Sequence, residues 1–525
     1  MNFSQKTKKF LTIVSLMLGI GLLVYALGGY VNYDDASTLA VYKPKLELRY
    51  LPLYAALSLI RMLIALLLSC VLAIYVGKKM SVSHQATVIG LQIIDVLQSI
   101  PLEIFLSLAT NVIVFFIPHN LWGAQLAAIF ALVTAQIWNL ILSVHESLRR
   151  VDEYKELITI HKLSSTYVFL NIEMPLMLPK LIWNSMLSLS ASWFLIASSE
   201  EIIINRGNNL VSLIMPGIGG VIKEASLLGD YLSIYGSMVA IAVSIFLCNI
   251  FIFEPFLNVS SGLDVSQVNT SFMRLVKFQT NLLNLLSVFI GKLFNKSTLI
   301  LLSLGMMVYA GPQIMLAVIP RVVITGLRIA LVLVISSLIG LPLGVFVGTS
   351  PAVLKYSRSL IQLLSSLPIN LMYPGVFYLV TCIGLPFDIG CICLMAIGSI
   401  WCIVFNVIDA ASRIPGDYWE MFRVMKLPNS TCFTHLVWPS VIESYVTGLL
   451  AASGAAWNAS LICESLTWKV HTLSVYGIGS YLAENSGSTP HLGGGVLIMC
   501  LFIFVINYYF WNPLINYVKQ RYHVE

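Results

Sequence analysis

Arg61-Met-Leu-Ile-Ala-Leu-Leu-Leu-Ser-Cys-Val-Leu-Ala-Ile-Tyr-Val-Gly77 carries one charge, at its first residue, and otherwise reads as hydrocarbon. With its flanks it forms an apolar stretch over 53–77, long enough to cross the roughly 30 Å core of a bilayer as a helix of about 20 residues. The same construction returns as Arg328-Ile-Ala-Leu-Val-Leu-Val-Ile-Ser-Ser-Leu-Ile-Gly-Leu-Pro-Leu-Gly344. Arg61 and Arg328 differ by 267, as do Gly77 and Gly344, Ser99 and Ser366, and Pro101 and Pro368. Forty residues therefore run from Arg to Pro in both copies without a gap. A duplicated membrane-spanning unit is the reading this dictates.

The rest of the chain agrees. Its 525 residues are 58% hydrophobic and 10% charged, with a mean hydropathy of +0.87. A soluble domain is about 25% charged, so a soluble enzyme is excluded. The net charge of +6 comes from scattered residues, which gives no footprint for nucleic acid. The nine cysteines lie mostly in apolar segments and the eight histidines at segment ends. Neither pattern suggests a disulfide framework, a metal site or a haem.

Apolar runs predict twelve spans: 10–31, 53–77, 86–117, 121–145, 181–204, 231–253, 298–319, 322–347, 357–383, 386–408, 444–463 and 493–511. A cytoplasmic N-terminus then puts 21 of the 30 Lys and Arg on the inside, and both termini are expected there. Six spans per half make the repeat parallel, with 1–256 and 297–525 as the two repeats. Residues 257–296 form a cytoplasmic linker, in which Asn281 to Phe294 reads as an interfacial amphipathic helix or as the start of the seventh span. The expected class is thus all-α and integral to the membrane. Pro101 and Pro368 are expected to break the third and ninth helices.

Further pairs extend the repeat: Trp138 with Trp401 and Arg150 with Arg413 at an offset of 263, then Tyr154 with Tyr418, Trp193 with Trp457 and Glu200 with Glu464 at 264. Between them lies a loop built alike in both halves, Tyr154-Lys-Glu-Leu-Ile-Thr-Ile-His-Lys-Leu-Ser-Ser to Pro175 and Tyr418-Trp-Glu-Met-Phe-Arg-Val-Met-Lys-Leu-Pro-Asn to Pro439. Each predicts two short helices, with Ser164 or Ser165, and Asn429 or Ser430, as N-caps of the second.

This loop resembles the coupling loop of ABC-importer permeases, E-A-A, three residues, G, nine residues, I-x-L-P. Glu156 and Glu420 occupy the E, and Pro175 and Pro439 follow nineteen residues later. Lys162 and Lys426 replace the glycine, where a lysine costs about 1 kcal/mol or reshapes the turn. Both halves together resemble two fused permeases of the nitrate, sulfonate, taurine and bicarbonate importer family. That resemblance implies a type I permease fold in a bacterial inner membrane and two ATP-binding-cassette ATPase subunits docked on Glu156, Lys162, Pro175, Glu420, Lys426 and Pro439. It also implies a periplasmic substrate-binding protein and a small, anionic solute. The chain has no G-x-x-x-x-G-K-[ST], so ATP and Mg are expected on the partners, with no cofactor here. The glutamates also read simply as helix-end charges.

Arg61 and Arg328 sit inside spans, where a charge costs about 2.5 kcal/mol or more unless paired or wetted. They are candidates for an anion-binding path, the alternative being structural arginines bonded to helix-end carbonyls. Glu200, Glu201 and Glu464 are candidates to gate the path or pair with these arginines, and Trp193 and Trp457 to narrow it or pack. An ion-gradient-driven secondary transporter is the alternative function, against which the paired loops argue.

Overall fold

The computed structural model describes residues 44–81, 87, 90, 91, 93, 94, 97, 98, 121–148, 151, 154–206, 209–256, 296–426, 428–468, 471–485 and 489–522. The expected span 10–31, most of 86–117, Ser99, Pro101 and all but the last residue of the expected linker 257–296 lie outside them.

In the first half, α1 (Leu51–Met80) and α2 (Leu121–Leu148) lead into two short helices, α3 (Lys155–Ile160) and α4 (Ser165–Val168). A π-helical turn, Phe169–Glu173, joins α4 to α5 (Met174–Phe194), and α6 (Ile196–Ser199) follows. Then come the hairpin β1 (Glu201–Arg206) and β2 (Asn209–Ile214), α7 (Ile218–Leu228), α8 (Tyr231–Cys248) and a second π turn, Asn249–Phe253. Asp230 caps α8 by accepting from the amides of Leu232 and Ser233.

The second half restates this order. Helix α9 (Lys296–Thr349) is followed by α10 (Pro351–Ser365), a 3-10 turn at Ile369–Met372, α11 (Tyr373–Ile383) and α12 (Phe387–Ala411). Next are α13 (Gly416–Val424), α14 (Asn429–Cys432), the π turn Phe433–Val437 and α15 (Trp438–Glu464). Hairpin β3 (Ser465–Trp468) and β4 (His471–Ser474), α16 (Ile478–Glu484), α17 (Thr489–Ile506), the π turn Asn507–Trp511 and α18 (Asn512–Tyr522) complete the chain. The π turns recur at offsets of 264 and 258, so even irregular backbone is repeated.

Seven helices among the described residues are long and apolar enough to cross a membrane. Four expected spans change shape. The segment 357–383 is two helices, because Pro368 lacks the N–H a continuous helix would use and opens the 3-10 turn. The break expected near 320 is absent: α9 kinks instead at Gly311 (φ 72), and Pro312, Pro320 and Pro342 all lie within it. The span 181–204 ends at Phe194, and the antiparallel hairpins add the only strands of the described residues to an otherwise helical protein, registered from Glu201 opposite Ile214 and from Ser465 opposite Ser474.

Within each half the first two long helices meet closely because one offers glycine. A Cβ on Gly77 would stand 2.7 Å from Val144, and one on Gly344 2.7 Å from Val407. Small residues at helix contacts serve this purpose in membranes, where hydrophobic burial drives little. The halves also exchange elements, since α10 packs on α5 and α8 of the first half. Gln98 in turn lies beside Gly454 of the second half.

Candidate functional site

Three constructions come from the repeat: a buried ion pair in each half, a cavity between the halves, and a protruding loop in each half.

Each ion pair starts from one turn of the arginine-bearing helix. In α1, Ser58 and Arg61 lie on one face at a spacing of three, and both reach Glu200, which the turn after α6 carries into the interior. Arg61 Nη1 pairs with Glu200 Oε1, and Ser58 Oγ donates to the same oxygen at 2.6 Å. Ser58 also accepts from the Ile218 amide at 2.9 Å. Oε2 of Glu200 receives the amides of Gly219 and Gly220 at 2.8 and 3.2 Å. The carboxylate thus satisfies the guanidinium and the otherwise unpaired N–H groups opening α7. Arg61 spends its remaining donors on Gln125 Oε1 (2.9 Å) and the Pro216 carbonyl (3.2 Å).

The second half repeats the plan with Thr325, Arg328 and Glu464. Arg328 Nη1 pairs with Glu464 Oε1, to which Thr325 donates at 2.7 Å, while Thr325 accepts from the Ile478 amide at 3.0 Å. Gly479 N donates to Glu464 Oε2 at 2.7 Å. One substitution breaks the symmetry. Gln125 corresponds to Asp388 at the offset of 263, and Arg328 Nη2 donates to Asp388 Oδ1 at 2.8 Å. Asp388 is 61% exposed, whereas Arg328 is 6% exposed. In formal charges the first cluster therefore sums to zero and the second to minus one.

The two arginines expected along an anion path thus have their charge matched inside their own halves. Trp193 and Trp457 are buried in the packing, Trp457 edge-on to Phe502 at 6.0 Å. Glu201 pairs with Lys223 at 2.8 Å. The space between the halves is bounded by other residues. A cavity of about 150 Å³ is lined by matched pairs: Gln98 and Ser365, Ala135 and Gly398, Trp138 and Trp401, Asn139 and Cys402, Ala191 and Ala455, Phe194 and Asn458. None of its lining side chains is charged. The Trp138 and Trp401 pair was visible in the repeat, but only contact between halves marks it as a wall.

In each loop the lysine adopts the left-handed backbone its position demands, with φ of 46° at Lys162 and 49° at Lys426. Around Lys162 the turn is closed by Leu163 N to Ile158 O (3.2 Å) and Lys162 N to Thr159 O (3.3 Å), the paired bonds that end a helix when its next residue is left-handed. Ser164 then caps α4 by accepting from the Tyr167 amide at 3.3 Å. The lysines keep the glycine's geometry and bear its steric cost. Glu156 lies in α3, Glu420 is exposed on α13, and Pro175 and Pro439 sit in the first turn of α5 and α15.

Residues 340–521 match the sequence model of the family described as binding-protein-dependent transport system inner membrane component. The chain is similar to this family over that stretch. Over 196 residues, 37% of the chain, it is 26% identical to the nitrate import permease protein NrtB of Leptolyngbya laminosa. It is 25% identical over 180 residues, 34% of the chain, to the protein of the same name in Synechocystis sp.. It is 26% identical over 149 residues, 28% of the chain, to the bicarbonate transport system permease protein CmpB of Synechocystis sp.. The chain spans 65%, 61% and 50% of the lengths of these three relatives.

Proposed function

We propose that the chain is the membrane subunit of an ATP-driven importer. Its two halves form the path for a small anionic solute of the nitrate or bicarbonate kind, and each half receives one ATP-binding-cassette ATPase subunit, which holds the ATP and Mg. A periplasmic substrate-binding protein delivers the solute, and both termini of the chain are cytoplasmic.

The observation that carries this reading is the duplicated loop and what it is attached to. From Ser165 to Phe194, and from Asn429 to Glu464, the backbone is helical without interruption through the π turn and the proline. These two rods begin at the loops and run past the cavity, contributing Ser188, Ser190, Ala191 and Phe194 from α5, and Ala451, Ala455 and Asn458 from α15. A displacement at the loop is therefore delivered to the cavity wall by a rigid element. In the second half the rod ends at the buried Glu464, which anchors it to Arg328 and α16.

An oxyanion in this cavity is held by neutral donors, the side-chain amides of Gln98, Asn139 and Asn458, since the arginines are engaged elsewhere. Replacing Glu156→Ala together with Glu420→Ala is expected to abolish solute-stimulated ATP hydrolysis in proteoliposomes with the assembly still folded. Unchanged hydrolysis overturns the coupling assignment.

A further inference from the structure

On the face of α9 that carries Thr325 and Arg328 stands a second arginine, Arg321, at spacings of four and seven. That face already holds the segment opening α16, through Thr325 to the Ile478 amide and Arg328 to the Tyr476 carbonyl at 3.4 Å. Arg321 extends the contact with different chemistry. Its guanidinium lies over the rings of Tyr476 at 4.9 Å and Tyr481 at 5.0 Å, and its side chain is only 23% exposed. Nε is buried and has no acceptor. The one carboxylate paired with it among the described residues, Glu484, is 4.0 Å away and 59% exposed. Ring faces offset part of the cost of withdrawing a guanidinium from water, but they do not meet its N–H groups.

The first half shows that the fold does not require this arrangement. At the offset of 267 Arg321 corresponds to Tyr54, and at 260 Tyr476 and Tyr481 correspond to Pro216 and Val221. The equivalent helix contact, Ser58 to the Ile218 amide, is made there without a cation at this position. An arginine added to one half, set by two rings and short of acceptors, is suited to an acceptor from outside the chain. Its place in the fold is defined by α15, which starts beside the second loop and ends at Glu464, where Gly479 of α16 is bonded. Arg321 therefore lies at the end of α15 remote from the loop.

We propose that Arg321, held by Tyr476 and Tyr481, is a binding site for a small oxyanion, present in the second half alone. Nε and one Nη offer two parallel donors to an edge bearing two oxygens, a fork that a lysine cannot supply. Tyr481 is the fixed ring, buried and with its hydroxyl 2.9 Å from His491 Nδ1, while the half-exposed Tyr476 moves aside to open Nε. Glu484 competes with the anion for the guanidinium. That the site faces the arriving solute rests on the cytoplasmic reading of the loops; that it binds an oxyanion does not. A free ion and a lipid phosphate share this chemistry.

The test uses the full chain, stripped of lipid in maltoside detergent, and follows its thermal midpoint by tryptophan fluorescence as sodium nitrate replaces sodium chloride at constant ionic strength. The wild-type midpoint is expected to rise and saturate. Arg321→Gln is expected to raise the half-saturating nitrate concentration about tenfold or more, and Arg321→Lys to respond to nitrate no more than to chloride. Glu484→Gln, at an exposed side chain that folding does not depend on, is expected to lower it about threefold or more and carries the test if the arginine variants do not fold. Adding phosphatidylglycerol distinguishes the sources: an Arg321-dependent rise that blunts the nitrate response assigns the site to lipid phosphate, and no such rise assigns it to the free ion. A nitrate response that is the same in wild type, Arg321→Gln and Glu484→Gln places binding elsewhere and overturns the proposal while the transport reading stands. Absence of any Arg321-dependent response to nitrate or phosphatidylglycerol also overturns it. Loss of the ATPase partnership with an intact Arg321-dependent response would instead remove the transport reading and leave the anion site.

Discussion

The two buried carboxylates look equivalent in the repeat, yet the structure makes their removal unequal. Glu200→Ala strands the Arg61 guanidinium in the interior with only the neutral Gln125 side chain and the Pro216 carbonyl to receive its protons. It also deprives Ser58 and the amides of Gly219 and Gly220 of their acceptor. Removing one member of a buried pair costs about 3–5 kcal/mol, most of it the penalty of the charge left behind. Glu464→Ala removes the same kind of partner, but Arg328 keeps Asp388 at 2.8 Å. A hydrogen bond involving a charged group is worth about 1.5–3 kcal/mol, less where one member is exposed to solvent as Asp388 is. Glu200→Ala is therefore expected to be the more destabilising change by about 1 kcal/mol or more. Equilibrium unfolding in mixed micelles, followed by tryptophan fluorescence, measures the difference. Two further variants isolate the cause. Adding Asp388→Asn to Glu464→Ala should erase the gap, and adding Gln125→Asp to Glu200→Ala should recover part of the loss. Equal losses for the two alanine variants, or an Asp388→Asn change with no effect in the Glu464→Ala background, would refute the reasoning.

A Cβ on Gly217 or Gly477 would collide with the carboxylate of Glu200 or Glu464, so Gly477→Ala is expected to cost about 1–3 kcal/mol and lower the thermal midpoint of the purified protein. Gly344→Leu must part α9 from α12, since its Cβ already stands 2.7 Å from Val407; reduced yield of monodisperse protein on size exclusion is the readout, and a normal elution profile would contradict that packing. Trp138→Ala with Trp401→Ala removes both indoles from the cavity wall. Solute uptake into proteoliposomes is expected to fall about tenfold or more while the bound ATPase stoichiometry stays constant.

The repeat was legible because duplication leaves identical residues at constant offsets, and the elements recur at those offsets down to the π turns. The lysine position was legible for the same reason, although spacing alone could not decide between a strained lysine and a reshaped turn. The hairpins were hidden because Glu201-Ile-Ile-Ile and Ser465-Leu-Thr-Trp continue apolar segments without a helix stop signal. The partnership of Arg61 with Glu200 was one of the two roles expected of the glutamates; it joins residues 139 apart, and no local pattern chose between pairing and gating. One signal was available: Gly217-Ile218-Gly219 and Gly477-Ile478-Gly479 recur at an offset of 260, and they form the amide cradle that both carboxylates occupy. Gly311 shows the reverse case. The apolar runs 298–319 and 322–347 placed a break near residue 320, but a proline can stay within a membrane helix, and the chain bends where glycine permits a positive φ.

The most direct measurement is the mass and composition of the complex isolated in mild detergent from the native membrane through a tag on this chain, determined by native mass spectrometry. Two copies of an ATP-binding-cassette subunit per single chain, one for each loop, is the expected result. A chain that carries no ATPase after crosslinking, yet still moves solute when reconstituted alone with an ion gradient, would contradict it.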